Sequence, residues 1–117
     1  MQVTQRDVEI LRFINEFGFC VMPQIEIRFG MRGRRSYQVM EKLVKAGLVY
    51  HERIFYGKHG VFYLTDKGAN FTDLPSIEKI SLGIYEHQMV LTNVYLKLRQ
   101  HYPDMEWISE RQLIQAV

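Results

Sequence analysis

The sequence has little that would indicate a secreted or membrane-spanning protein. It holds one cysteine among 117 residues, so no disulfide can form within it. Cys20 lies between Phe19 and Val21, and we expect it to be a buried structural thiol in a reducing compartment. No hydrophobic run approaches the roughly 20 residues that cross a bilayer. The amino terminus also lacks the apolar stretch of a signal peptide. We therefore expect a cytoplasmic protein without membrane contact.

Motifs that carry chemistry are also scarce. The sequence has no Cys-x-x-Cys pair, no glycine loop of the phosphate-binding type and no nucleophile motif. His87 has no partner at metal-ligand spacing, since His101 lies 14 residues away, and a capping or interface role is the better interpretation. Asp104, Glu106 and Glu110 do not by themselves form a metal-binding carboxylate set. We expect no catalytic residue, no metal and no cofactor, and hence no enzymatic activity.

The charge is unevenly distributed along the chain. Residues 1–60 carry ten Lys/Arg against six Asp/Glu, a net of +4, whereas residues 61–117 carry five against seven, a net of −2; the two sum to the overall +2. The hydrophobic fraction of 47% is sufficient for a core, and the length suits one domain. A local basic excess on a globular domain is what a binding face for a polyanion would produce.

Three helices are predicted in the basic half. Thr4 is a good N-cap, and apolar residues at helical spacing predict a first helix over about 5–17. Pro23 suits the first turn of a short second helix that ends at Gly30. A third helix is predicted over about 33–46. These helices precede a segment rich in β-formers.

The third helix is predicted to have an apolar face and a basic face. Tyr37, Met40 and Val44 share one side, so Tyr37 is expected in the core more often than as a base reader. Two β-rich runs follow at 48–56 and 61–64, and the glycine-flanked residues between them predict a hairpin with a four-residue loop.

The second half is predicted to contain a helix over about 86–101. One apolar stripe comprises Val90, Leu91, Val94 and Leu98, and Met89 and Leu96 lie off it. A helix apolar on two sides is buried on two sides, so we expect one side to face its own domain and the other to meet a second subunit. Residues 107–110 are predicted to form a strand.

Four arginines crowd the eight positions from Arg28 to Arg35, where the third helix begins. Cations at a helix start oppose the helix dipole, and the guanidinium fork fits phosphate and guanine edges. A solvated helix end with incidental charge is the alternative. The predicted hairpin carries Arg53, Lys58 and His59. These side chains either contact a nucleic-acid backbone or are simply solvated. Arg28 is placed to meet a phosphate, Glu26 or a more distant acid. The predicted DNA-binding residues are Arg28, Arg32, Arg34, Arg35, Ser36, Gln38, Lys42, Arg53, Lys58 and His59.

The order of helix, short helix, turn, basic helix and hairpin resembles a winged helix-turn-helix domain. The run from Tyr63 to Gly68, Tyr-Leu-Thr-Asp-Lys-Gly, is similar to the end of the wing in many such domains, although it lacks their spacer between Tyr and Leu. Glu86-His87-Gln88, followed by Trp107 to Glu110, makes the chain similar to the replication-relaxation family of plasmid and mobile-element proteins. Longer members continue past that point, so we expect either a short relative or the amino-terminal part of a longer protein.

The sequence therefore predicts an α+β, mostly helical fold: a winged helix-turn-helix with a carboxy-terminal helical extension. We expect a DNA-binding domain over 1–72, and over 73–117 an extension that dimerises or links to a further domain. The expected partners are double-stranded DNA and a second copy bound through residues 86–101. The expected role is sequence-selective regulation of transcription, or of replication and transfer of a mobile element. A winged-helix protein-interaction module and the DNA-binding front of a DNA-processing enzyme are the alternatives. A further alternative is a ligand-responsive repressor in which Tyr85, Tyr95 and Trp107 surround a pocket.

Overall fold

The protein has an α+β fold of helices around a small antiparallel sheet. The computed structural model describes residues 2–77 and 79–116, the last three of them by their backbone alone. The elements are α1 (Gln5–Phe17), β1 (Cys20–Val21), α2 (Met22–Phe29), α3 (Arg34–Lys45), β2 (Val49–Glu52), β3 (Val61–Leu64), α4 (Asp66–Ala69), α5 (Leu82–His101) and α6 (Glu110–Ala116).

The first helix forms where the sequence predicts it. The Thr4 side chain accepts a hydrogen bond from the Asp7 backbone N–H at 3.1 Å, and the Asp7 carboxylate accepts one from the Thr4 backbone N–H at 3.0 Å. This reciprocal pair satisfies two N–H groups that a helix start otherwise leaves without partners. The predicted bounds of α1 are confirmed, and α2 ends at Gly30 as predicted.

The sheet has the strand order β1-β3-β2, with both pairings antiparallel. The predicted hairpin is confirmed, with Val49 opposite Leu64 and Glu52 opposite Val61. The predicted loop is too short, because β2 ends at Glu52 and the connection spans residues 53–60. The two-residue strand β1 was not predicted. It forms only because β3 pairs with it, with Cys20 opposite Phe62.

One large core cluster joins both halves of the chain. Ile10, Leu11 and Ile14 of α1 are completely buried in it, and Leu96 of α5 belongs to the same cluster. Cys20 also lies there as predicted, and burial raises the pKa of its thiol well above the ordinary value. Helices α1 to α5 thus share this cluster, and a second, smaller one comprises Phe19, Val21, Val61, Ile80 and Tyr85.

The buried side of α3 differs from the predicted one. Ser36, Val39, Met40 and Leu43 face the interior, whereas Tyr37 is 61% exposed and Val44 is 37% exposed. The spacing of the buried set is i, i+3, i+4 and i+7, a regular helical stripe in which a serine takes the first place. The prediction that Tyr37 is a core residue is therefore wrong.

The long helix α5 begins four residues before its predicted start. Ser81 is its N-cap, and the Ser81 hydroxyl accepts a hydrogen bond from the Ile84 backbone N–H at 3.2 Å. Tyr85, Thr92 and Leu96 are its buried residues. Most of the predicted stripe faces away from the core, since Val90, Val94 and Leu98 are exposed while Leu91 is partly buried.

The carboxy-terminal segment is held against α1 by hydrogen bonds. The predicted strand at 107–110 is wrong, because residues 107–109 are irregular and α6 starts at Glu110. The Arg111 guanidinium donates to the backbone and side-chain oxygens of Asn15 and, at 2.6 Å, to the Pro75 carbonyl. The Asn15 amide in turn donates to Thr72 at 2.9 Å and to the Leu74 carbonyl at 2.8 Å. The expected division at residue 72 lies inside this junction.

Throughout the described part of the chain, none of the helices combines the length and the apolar character that a bilayer crossing requires.

Candidate nucleic-acid interface

A carboxylate from α2 fixes the turn that leads into α3. The Glu26 carboxylate accepts hydrogen bonds from the Ser36 hydroxyl at 2.6 Å and from the Gly33 backbone N–H at 3.1 Å. Gly30 and Gly33 both adopt positive φ, at 66° and 61°, which lets the chain reverse between the helices without steric cost. The negative charge at the start of α3 is thus supplied from inside the protein, where the dipole favours it.

Ser36 does not belong to the surface that the sequence predicted. Its side chain is buried, and its single hydroxyl proton is shared between two acceptors, a Glu26 carboxylate oxygen at 2.6 Å and the Gly33 carbonyl oxygen at 2.8 Å. A hydroxyl covered by the protein and engaged in this way cannot reach a base edge. The role of Ser36 is to hold the start of α3 against α2.

Arg32, Arg34 and Arg35 form an exposed cationic cluster, which we call the α3 arginines. All three side chains lie in solvent, and no described carboxylate comes within 4.0 Å of their guanidinium nitrogens. Gln38 is also exposed, four residues after Arg34 and therefore on the same face of α3. These four predicted residues are brought together in an arrangement open to an anion.

Lys42 is occupied by an internal partner. Its ammonium lies 2.7 Å from the fully buried Asp7 carboxylate, which ties α3 to the start of α1. Burial disfavours the Asp7 anion, but hydrogen bonds from Lys42 and from Thr4 outweigh it, so the pKa of Asp7 lies below the ordinary value. The predicted contact of Lys42 with phosphate competes with this pair. One turn on, Lys45 lies 2.8 Å from Glu41 in an exposed pair.

Arg28 is not brought together with the α3 arginines. Its guanidinium lies 4.8 Å from the centre of the Phe29 ring, and Glu26 is engaged elsewhere. It lines a cavity of about 260 Å³ together with Arg12 and Trp107. Arg28 forms no ion pair with a described acid: burial raises the pKa of Glu16 and the charge of Arg28 opposes that shift, but no carboxylate oxygen comes within 4.0 Å of the guanidinium.

The predicted hairpin residues share a cleft with α3. Arg53, Lys58 and His59 line a cavity of about 490 Å³ that is closed on the α3 side by Tyr37. His51, in the same lining, stacks on Phe62 with ring centres 4.0 Å apart and an interplanar angle of 7°. Burial lowers the pKa of His51, which keeps the ring neutral near pH 7. Arg53 and Lys58, in the exposed connection between β2 and β3, place positive charge at the edge of the cleft.

Two members of this cleft, Tyr37 and His51, were not among the predicted site residues. The signal for Tyr37 was present, because Ser36, Val39, Met40 and Leu43 form a better core stripe than the one chosen. No signal in the sequence indicated His51, whose position depends on the β2–β3 register.

Outside this surface, a histidine and a glutamate of the second half of the chain lie close together. His87 Nε2 lies 3.1 Å from Glu110 Oε2, with both side chains about half exposed. Among the residues described by the structure, no three His, Cys, Asp or Glu side chains are grouped so that they could hold a metal ion.

Comparisons with known proteins give no relative from which an activity could be transferred: no family model, no curated protein and no solved structure matches the chain.

Proposed function

We propose that this protein binds double-stranded DNA sequence-selectively and regulates transcription, or the replication and transfer of a mobile element. The observation that carries the proposal is the group of α3 arginines, exposed and without a described carboxylate partner at the start of a helix. Guanidinium groups in this setting suit phosphate and guanine edges. The similarity to the replication-relaxation family is the basis for the mobile-element role.

The element order supports a winged helix-turn-helix as the finer description of the fold. The chain passes through α1, β1, α2 and α3 and then through the β2–β3 hairpin, which is the order of elements in that domain. In helix-turn-helix docking the first turns of the recognition helix reach base edges. Arg34, Arg35 and Gln38 occupy those turns, and Arg53 and Lys58 in the wing are placed for the sugar-phosphate backbone.

We also propose a homodimer through residues 86–101. Val90, Val94 and Leu98 lie four residues apart and leave an apolar stripe of α5 in solvent. A stripe of this kind is self-complementary about a two-fold axis. The dimer would favour a palindromic or repeated site with half-sites about one helical turn apart, or a multiple of it.

A salt titration of binding to duplex DNA tests the proposal. If each protomer engages roughly five phosphates, log affinity falls with log salt at a slope of about −4 to −5 per protomer. Absence of binding at low salt, or an affinity that does not respond to salt, would remove the proposal and favour the interaction module. Selection of bound sites from a random duplex pool then gives the sequence, and two-fold symmetry in the recovered sites supports the dimer.

A further inference from the structure

A second group of arginines surrounds a separate cavity. Arg12 of α1, Arg28 of α2 and Arg99 of α5 all line the cavity of about 260 Å³, which we call the arginine cavity. It shares no lining residue with the cleft between α3 and the hairpin. Two helices that are neighbours in sequence and a third from the other half of the chain each contribute one guanidinium to this single space.

Aromatic rings form the apolar part of the arginine cavity. Phe13, Tyr95 and Trp107 line it, with 6.1 Å between the ring centres of Phe13 and Tyr95 and 5.3 Å between those of Tyr95 and Trp107. Tilted and edge-on aromatic arrangements of this kind provide good contact surface for another planar ring.

Two hydrogen-bond donors of the lining residues are buried without a partner. Arg28 Nε and Trp107 Nε1 are both inaccessible to solvent and make no hydrogen bond. A buried N–H without an acceptor costs free energy, and native proteins rarely leave one in that state. Because both atoms are covered by protein, a molecule bound in the cavity would reach these donors only after the Arg28 and Trp107 side chains move.

The acids in the cavity do not neutralise the arginines by ion pairing. Glu9 and Glu16 also line it, but neither lies within 4.0 Å of a guanidinium nitrogen among the described side chains. Burial raises the pKa of Glu16, although Arg28 and Arg12 oppose the shift.

We propose that the arginine cavity binds a small aromatic carboxylate, with the arginines holding the carboxylate and the aromatic side chains holding the ring. Arg28 and Arg99 supply charge-assisted hydrogen bonds, which are the strong ones for a carboxylate. The volume lies near the lower limit of small-molecule sites, about 300–1,000 Å³, and so suits one ring with a short acid arm.

The lone tryptophan makes the test direct, because Trp107 is the only one in the chain. Phenylacetate is the probe, 2-phenylethanol is its uncharged counterpart, and acetate lacks the ring. We expect a saturable change in Trp107 emission with phenylacetate and at least about tenfold weaker binding of the other two, since each lacks one half of the recognition. Equal binding of 2-phenylethanol, or no saturable change up to about 10 mM phenylacetate, would overturn the proposal.

Charge-removing variants locate the site. Arg28→Gln and Arg99→Gln are each expected to weaken phenylacetate binding about tenfold. Lys97→Gln, which removes an exposed charge from the same helix as Arg99, is the matched control and should bind as the unchanged protein does. Thermal unfolding establishes that each variant is folded. If Arg28→Gln does not fold, the affinity of the Arg99→Gln variant decides whether the cavity is the binding site. Wild-type affinity in a folded Arg99→Gln variant would contradict the assignment. No DNA is present, so this outcome is independent of DNA binding.

Discussion

The protein has two groups of three arginines with different neighbours. The α3 arginines lie in solvent at the start of one helix, beside polar side chains such as Gln38. The arginines of the cavity come from three helices and converge on aromatic rings. An open row of cations suits a long polyanion that supplies many phosphates, whereas cations around an apolar floor suit a compact molecule with one charged end. The two proposals therefore give the same residue type two kinds of ligand, and the neighbours of the arginines distinguish them.

Removing charge from the α3 arginines should give the largest effect and separate the two groups. The double change Arg34→Ala and Arg35→Ala should lower affinity for duplex DNA about 100-fold, since each arginine makes a charge-assisted contact worth about 1.4 kcal/mol. The slope of log affinity against log salt should become shallower by about 1.8. A filter-binding or anisotropy titration at several salt concentrations measures both quantities.

The control for that experiment removes two exposed lysines elsewhere. Lys79→Ala with Lys97→Ala changes the net charge equally and should alter DNA affinity less than threefold, because both lysines lie outside α3 and outside the residues proposed to contact DNA. Phenylacetate binding should be unaffected in both double variants. If the lysine pair weakened DNA binding as much as the arginine pair, only total charge would matter, and the assignment of an interface to α3 would fail.

Disrupting the turn before α3 should have the next largest effect. Glu26→Ala removes the acceptor of the Ser36 hydroxyl and the Gly33 N–H, one of them buried, and should lower the free energy of unfolding by about 1–3 kcal/mol. Urea denaturation followed by circular dichroism measures the change. Glu86→Ala removes an exposed acid from α5 and should stay within about 0.5 kcal/mol. Equal stabilities of the two variants would mean that Glu26 does not secure the α3 arginines.

The smallest effect is expected at Lys42, which distinguishes a structural cation from a binding one. Lys42→Met leaves the Asp7 carboxylate buried without its ion partner, and we expect a loss of about 1 kcal/mol, since the lysine is partly solvent-screened. DNA affinity should fall less than in the Arg34 and Arg35 variant. A large loss of affinity with unchanged stability would instead place Lys42 in the interface.

The Lys42 pair also predicts a pH dependence with a definite sign. The folded-state pKa of Asp7 is lowered, so the stabilisation is present at neutral pH and is lost as the pH falls through the ordinary value of 3.8 and below. Urea unfolding at pH 7 and at pH 3 should show a smaller decrease for Lys42→Met than for the unchanged protein. An identical decrease in both would show that other carboxylates dominate acid unfolding.

The sequence indicated most of the fold because local signals carry it. The Thr4 N-cap, the terminal glycine of α2 and the β2–β3 pattern each depend on neighbouring residues, and each was predicted. The two-residue strand β1 was not, since only its pairing with β3 makes it a strand. The phase of α3 was misjudged because a buried serine hid the true stripe, and Ser36 is tolerated there only through Glu26.

The candidate interface was predicted less completely than the fold. The cluster at Arg32 to Arg35 is adjacent in sequence and was found directly. Lys42 was assigned to the surface since Asp7 lies 35 residues away, and nothing local indicates their pairing. The arginine cavity could not be predicted, because it requires residues 12, 28 and 99 to meet.

The hydrogen bonds that run from Arg111 through Asn15 to Thr72 and Leu74 bear on how the chain can be divided. A protein shortened to residues 1–72 would lose the hydrogen bonds between Asn15 and both Arg111 and Leu74. It would also lose the packing of Leu96 and Trp107 against the aromatic rings of α1. The first 72 residues therefore would not transplant well as a free-standing DNA-binding module. Any graft onto another protein would have to carry the helical extension with it as part of the same folding unit.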